Sequence, residues 1–347
     1  MPQPREWPEV TVSLLAYRDV ESIAAAVSSV LEQDYPGDLD VHVREQGDDD
    51  VQFELITSAV ARRKTPGRKV TVERGENIGF APGHNRGIRA GTGAFVLLVN
   101  ADAKLSPDFV TRCVPYFDDP GVAAVQPKLL RRLPTNGNDP IEIDTTGLVA
   151  TRRRLFLNRG HGQTDQGQYE VSEEVFGADG AVPMYRRAAL DDVAVPLAEG
   201  VEYLDETFFI YKCDVDLAWR LRLRGWSTQY APDAVAAHAR TMQRDEHSGF
   251  RRVLAQRRGT PAFGRYLSFG NHRVMQIKNE SLAGLGKALV PWLVQEAGSW
   301  VVFLVTDRWL ALRAVWRFLR TVPVAVRKRR WIQARRAQGA DPYVWFR

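Results

Sequence analysis

An α/β fold on a mostly parallel, doubly wound sheet is predicted by three features of the sequence. Strand-like and helix-like patterns alternate from Val10 to Leu130, the order that builds a parallel sheet with helices on its faces. Phe95 to Val99 is apolar without alternation, as in strands covered on both sides. That run stops at Asn100-Ala101-Asp102, which puts polar groups beyond the carboxyl end of a central strand, where open α/β sheets bind ligands.

The elements follow in order. Val10 to Tyr17 is a first strand, and Val20 to Glu32 carries Val20, Ile23, Val27, Val30 and Leu31 at helical spacing. Asp34-Tyr35-Pro36-Gly37 is a turn, Leu39 to Arg44 a second strand, Val51 to Arg63 a second helix and Lys69 to Glu73 a third strand. Asn77 to Gly93 is punctuated by glycines and reads as a loop. Beyond the central strand, a helix is expected over Asp108 to Phe117 and a strand over Val122 to Leu130. Arg131 to Glu174 is weakly patterned and is expected to make a β-excursion over the site, with acceptor contacts. Phe176 to Tyr185 and a helix from about Arg186 restore the pattern. The helix in Asp205 to Trp226 closes at Gly225, and a last short strand, Thr228 to Ala231 and Ala234 to His238, ends in a histidine. After about Phe250 long helices rich in Trp, Leu and Arg follow, so the chain divides into residues 1–250 and a basic amphipathic helical appendage, 251–347.

The 347 residues, 44% hydrophobic and 26% charged, describe a globular protein with room for that appendage. Two cysteines, Cys113 and Cys213, make no disulfide framework, and the polar start MPQPREWPE has no leader pattern. Both point to the cytoplasm. Ten Lys or Arg and no acid lie between Arg308 and Arg336, which accounts for the net charge of +5. Leu289 to Val305 is apolar but interrupted by Pro291, Gln295 and Glu296, so a simple membrane span is not expected. Apolar and basic residues on helices without a clean span suit attachment to the inner membrane face, with Arg327-Lys328-Arg329-Arg330 toward anionic lipid; a packing or dimerising appendage is the alternative.

Four blocks, in order, resemble the family-2 inverting glycosyltransferases of GT-A fold, especially their rhamnosyltransferase-like branch. They are VSLLAYRD near Val12, NIGFAPGHNRGIRAGTGAFVLLVNADAKL from Asn77 to Leu105, FGADGAVPMYRRAAL from Phe176 to Leu190 and DETFFIYKCDVDLAWRLRLRGW from Asp205 to Trp226. The likeness covers Val10 to His238 and implies a Rossmann-like GT-A domain. It implies transfer of a sugar, L-rhamnose from dTDP-rhamnose within that branch, to a glycan or polyprenyl-linked acceptor in cell-surface polysaccharide synthesis. Nucleic acid is not an expected partner, and an oligomer is compatible with the sequence.

The resemblance assigns residues as follows. Asp102 matches the last acid of the family's DXD-type motif and would hold Mg²⁺ or Mn²⁺, a hard cation that neutralises a departing diphosphate; taken alone, it equally suits a cap on the turn before Ser106-Pro107-Asp108. Asn100 stands where some relatives have the first acid. His238 matches a metal-binding histidine, or is a strand-end histidine bonded to backbone; His84, His161 and His247 get only structural readings. Ala16, Tyr17, Glu45, Asn77, Gly79, Asn85, Asn100 and Ala101 line the donor side. Glu45 replaces the family's aspartate, and the glycines serve either close donor approach or a turn. Asp214 is the general base, which takes the acceptor hydroxyl's proton, with Cys213 in place of the preceding glutamate. Asp179 and Asp216 are acceptor-side acids, or respectively a turn residue and a helix-capping one. A protein with the same site but no turnover, binding a nucleotide-sugar or an anionic surface, is the alternative.

Overall fold

The computed structural model describes residues 6–63, 66–134, 140–239 and 261–347. The expected boundary near residue 250 and His247 lie outside them.

Ten strands form one mixed, mostly parallel sheet. Its main path runs β10 (Glu173–Glu174), β14 (Ser227–His238), β6 (Val122–Leu130), β11 (Met184–Arg186), β4 (Phe95–Asn100), β1 (Val10–Ala16), β2 (Leu39–Gln46) and β3 (Arg68–Gly75). Strands β3, β2, β1 and β4 are mutually parallel, as are β14 and β6; β11 is antiparallel between β4 and β6. Two short strands sit off this path: β5 (Ala103–Leu105) against β14, and β7 (Ile143–Thr145) against β6. A β8 (Leu148–Ala150) and β9 (Phe156–Asn158) hairpin fills part of the expected excursion, and β12 (Val195–Pro196) pairs with β13 (Val201–Glu202) outside the main sheet.

Chain order reverses at β1, with β2 on one side and β4 on the other. A crevice opens at such a switch point because successive crossovers leave on opposite faces. On one face α1 (Ile23–Leu31), α2 (Asp50–Ala61) and α4 (Phe109–Cys113) cover Val12, Leu14, Leu97 and Val99. The other face is covered by α3 (Phe80–Ala90), α5 (Arg187–Val193) and α6 (Cys213–Leu223).

The segment read as a glycine-rich loop is in fact helix α3. Gly87 is there because a Cβ would stand 2.4 Å from Ser13 Oγ on β1, so the glycine lets helix and sheet approach rather than breaking the helix.

Three C-terminal helices, α7 (Ala262–Asn279), α8 (Leu282–Lys287) and α9 (Leu289–Ala334), complete the second core through Val274, Met275, Ala325 and Ile332. α9 is bent at Asp307 (φ −142°, ψ 42°), whose carboxylate accepts from Arg265 Nε at 3.1 Å and Nη2 at 2.7 Å. By length and composition α9 is apolar enough to cross a membrane, against expectation. The interrupting Glu296 points inward to Arg273 at 2.7 Å.

Candidate active site

Strand register brings the donor-side residues together. Leu15 pairs with Asn100 and Ala16 with Glu45, so β1, β2 and β4 end on one line. Ala16 and Ala101 are buried, and Tyr17 is 40% exposed beside them. Arg18 takes a left-handed φ of 59°, and the turn closes with Tyr17 N–H donating to Asp19 Oδ2 at 3.2 Å.

The same edge holds Asp102 and His238. β14 runs antiparallel to β5 with His238 opposite Ala103, and Ala239 N–H donates to the Asp102 carbonyl at 3.2 Å. His238 Nε2 lies 3.2 Å from Asp102 Oδ1, and Nδ1 lies 2.8 Å from Asp144 Oδ2. Burial alone would lower the pKa of His238, but hydrogen bonds and charge from the two carboxylates outweigh it and push it up to about 9. For Asp102 burial raises the carboxyl, and the His238 bond and charge overcome it, so the net shift is downward. Asp19 is raised, chiefly by burial and further by the charge on Asp102, against the Tyr17 hydrogen bond.

Sequence reasoning missed Asp144. It lies in the loosely patterned stretch, where the alternation of Ile141 and Ile143 with Glu142 and Asp144 was the available strand signal. Pairing of β7 with β6 carries it under His238. A carboxylate on the far nitrogen fixes an imidazole with its other nitrogen outward, as behind metal-ligating histidines. Asp102 oxygen fits a Mg²⁺ or Mn²⁺ chemically, and His238 nitrogen does so once Nε2 gives up the proton that it shares with Asp102. Among the described residues no group of three or more His, Cys, Asp or Glu is arranged to hold an ion alone. Phosphate oxygens and water would have to complete the shell.

Several donor-side expectations are corrected. Asn85 is fully buried; its Nδ2 donates to the Leu204 carbonyl at 2.8 Å and Glu206 Oε1 at 3.0 Å, and its Oδ1 accepts from the Tyr203 and Leu204 N–H groups. It ties α3 to the 203–206 loop and has nothing left for a donor. Asn77 Oδ1 accepts from Gly79 N–H at 2.9 Å, the loop-shaping role. Gly79 has φ 100°, and a Cβ there would be 2.5 Å from the Phe209 ring, so packing as well as backbone conformation demands the glycine. Glu45 is buried with Oε1 accepting from Gln52 Nε2 at 2.9 Å, while Oε2 takes no hydrogen bond and stands 3.7 Å from Arg74 Nε. His84 is buried against Ser13 Oγ at 2.9 Å. Burial lowers it to about 3, so it is neutral.

On the acceptor side Asp214 occupies the first turn of α6, partly exposed. A Cβ on Gly180 would lie 3.4 Å from Asp214 Cβ, and the next residue, Ala181, accepts from Asn100 N–H at 3.0 Å. One turn thus touches both the end of β4 and the candidate base. Asp179 shapes that turn: Oδ1 accepts from Ala181 N–H at 3.0 Å and Oδ2 from Asn158 Nδ2 at 3.1 Å.

Asp216 is not an acceptor contact. It is fully buried, with Oδ2 on Arg220 Nε at 3.0 Å and Oδ1 on Lys278 Nζ and Asn279 Nδ2, both at 2.8 Å. An unpaired buried charge is too costly to keep, and Lys278 from α7 supplies the partner. Cys213 is buried, which raises its pKa and keeps it a neutral thiol.

The model of a family described as glycosyltransferase-like family 2 matches residues 8–259. An N-acetylglucosaminyltransferase of Bradyrhizobium diazoefficiens is 26% identical over 297 residues, 78% of this chain and 56% of that protein. A probable glucomannan 4-beta-mannosyltransferase of Oryza sativa is 28% identical over 231 residues, 65% of this chain and 37% of that protein. The chain spans about half the length of these curated relatives. Among solved structures, a mannosyltransferase from Pyrobaculum calidifontis in complex with GDP-Man and Mn²⁺ superposes with TM-score 0.51 at 19% identity, over 96% of this chain and 88% of that one. S. aureus TarS 1-349 gives 0.53 at 16%, over 96% and 89%. These likenesses show the GT-A fold.

Proposed function

The chain belongs to the glycosyltransferase-like family 2, and from that premise we propose that it transfers a sugar, with inversion, from a nucleotide-diphosphate donor to a glycan or polyprenyl-linked hydroxyl. The reading rests on one observation: the Gly180-Ala181 turn touches Asp214 on one side and the end of β4, two residues before Asp102, on the other. On this reading a leaving-group site and a base flank that turn.

The donor lies across the ends of β1, β2 and β4, its base toward the exposed Tyr17 ring and its diphosphate toward Asp102 and His238. Mg²⁺ or Mn²⁺ bound by those two residues supplies positive charge where the diphosphate departs. Asp214 takes the proton of the acceptor hydroxyl as it attacks the anomeric carbon from the opposite face. Cys213, neutral and buried, leaves Asp214 without the neighbouring carboxylate expected from the family pattern.

The relatives and structures described above bear on N-acetylglucosamine and mannose and lend no support to L-rhamnose, so the donor is sought among UDP-N-acetylglucosamine, GDP-mannose and dTDP-L-rhamnose. Asp214→Asn should keep the thermal stabilisation given by the productive donor with Mn²⁺ and lose about 10²–10⁴-fold in turnover. Near-normal turnover in that variant would refute the base assignment. A wild-type chain stabilised by a donor that it never turns over would favour the binding-only alternative.

The remaining part of the reading is attachment at the cytoplasmic membrane face. Trp309 (71% exposed), Leu312 (63%), Trp316 (57%) and Leu319 (62%) line the outward side of α9, rimmed by exposed Arg308, Arg313 and Arg320. The opposite side packs on α7 through Phe303, stacked on Phe269 at 4.1 Å. A helix apolar outside and docked inside suits lying in an interface rather than crossing it.

A further inference from the structure

The backbone that delivers Asp214 is strained. Six described non-glycine residues have positive φ, and three of them fall within four positions just ahead of α6: Phe209 (64°), Tyr211 (69°) and Lys212 (68°). Each is strained for an L side chain and persists only where its surroundings over-determine it. Within the crossing itself, Ile210 N–H bonds to the Phe208 carbonyl at 2.7 Å, which does not account for three such residues.

The restraint comes from far along the chain. Asn271, fully buried on α7, donates through Nδ2 to the carbonyls of Phe208 at 2.9 Å, Ile210 at 2.8 Å and Tyr211 at 3.1 Å. Two N–H groups serve three carbonyls, so one is shared. Asn271 is itself oriented by α9: Arg317 Nη1 donates to its Oδ1 at 2.8 Å, and Arg317 Nη2 to the Thr207 carbonyl. At the other end of the crossing, the Phe209 carbonyl accepts from Ala81 N–H at 3.1 Å at the head of α3, and its ring occupies the space beside Gly79. The crossing thus joins the donor loop, the candidate base and the C-terminal helices.

We propose that Asn271, braced by Arg317, is a positioning residue for sugar transfer: it holds the Phe208–Lys212 crossing in its left-handed path and thereby sets where the Asp214 carboxylate stands. The proposal rests on Asp214 being the base, and it makes α7 and α9 part of the transfer machinery.

The test uses the full chain with Asn271→Leu, close in shape but without the donor, and Arg317→Met, which leaves the amide in place. Hydrogen exchange is followed over residues 205–217, and release of nucleoside diphosphate is measured from UDP-N-acetylglucosamine, GDP-mannose and dTDP-L-rhamnose with Mn²⁺, water taking the sugar as the acceptor hydroxyl. In Asn271→Leu, exchange across 208–212 should quicken about tenfold or more while β1 and β4 stay protected. Turnover should fall about 10²-fold with the donor KM held within about threefold, the signature of a misplaced group rather than a lost binding contact. Arg317→Met should lose about tenfold on the same split, and it decides the matter if Asn271→Leu does not fold. Unchanged exchange, turnover within about twofold of wild type, or a loss shared equally by donor KM overturns the proposal. Asp214→Asn run in parallel separates the two readings: turnover retained there sinks the base assignment, whereas protection retained in Asn271→Leu sinks the clamp alone.

Discussion

His238 between Asp102 and Asp144 behaves as a charged pair of contacts whose strength depends on pH. Its pKa is raised from the ordinary 6.5 to about 9 in the fold, so its contribution is fully present below 6.5 and is lost as pH climbs through 9. Metal-free wild-type protein should therefore lose on the order of 1–3 kcal/mol more stability than His238→Gln between pH 6.5 and 9.5, measured by urea unfolding at each pH. Equal slopes would show that the imidazole carries no charge there. The resemblance assigns Asp102 and His238 separately to a metal, and their side chains stand 3.2 Å apart. Asp144, which orients the ring, had no motif to announce it, because an acid in an irregular stretch acquires its role only when β7 pairs with β6.

Among the elements, α3 and α6 show how local pattern and tertiary role diverge. Glycines made α3 read as a loop; in the fold they are close-approach positions against β1 and Phe209. Gly79→Ala should cost about 1–3 kcal/mol in urea unfolding, since both the φ of 100° and the Phe209 ring oppose a side chain; a neutral change would deny that packing. The helix α6 was located closely, from its leucines and Gly225, yet the two acids of its first turn have opposite fates. Asp214 faces the Gly180 turn, whereas Asp216 turns inward to Arg220 and Lys278. Asp216→Ala should destabilise the chain by about 3 kcal/mol or more, because it strips a partner from two buried cations. Residues two apart on a helix point in different directions, and which direction is inside was not written in the local pattern.

For the molecule as a whole, the C-terminal helices are bound to the 202–205 segment ahead of α6 by buried charge. Lys278 of α7 and Lys328 of α9 both reach Asp205, at the entry to the strained crossing, and Lys328 also pairs with Glu202. Two cations hold the Asp205 carboxyl far below its ordinary value although burial alone would raise it. Among the described residues the outward face of α9 has no such partners. Trp309→Glu, Leu312→Glu and Trp316→Glu combined should weaken flotation with phosphatidylglycerol-containing vesicles at least about tenfold, and added salt should weaken the wild type as well, since apolar burial and arginine attraction both contribute. Wild-type protein that ignores such vesicles would refute membrane attachment. By itself the sequence determined the alternating α/β order, the buried central strand and the acid at its end, because these follow from periodicity and from where apolar runs stop. Only the tertiary structure decided that Asp144 backs His238, that Asp216 and Asn85 are spent inside the fold, and that residues 271 and 317 reach the crossing before Asp214. Each of those depends on contacts between segments far apart in the chain, which local patterning cannot encode.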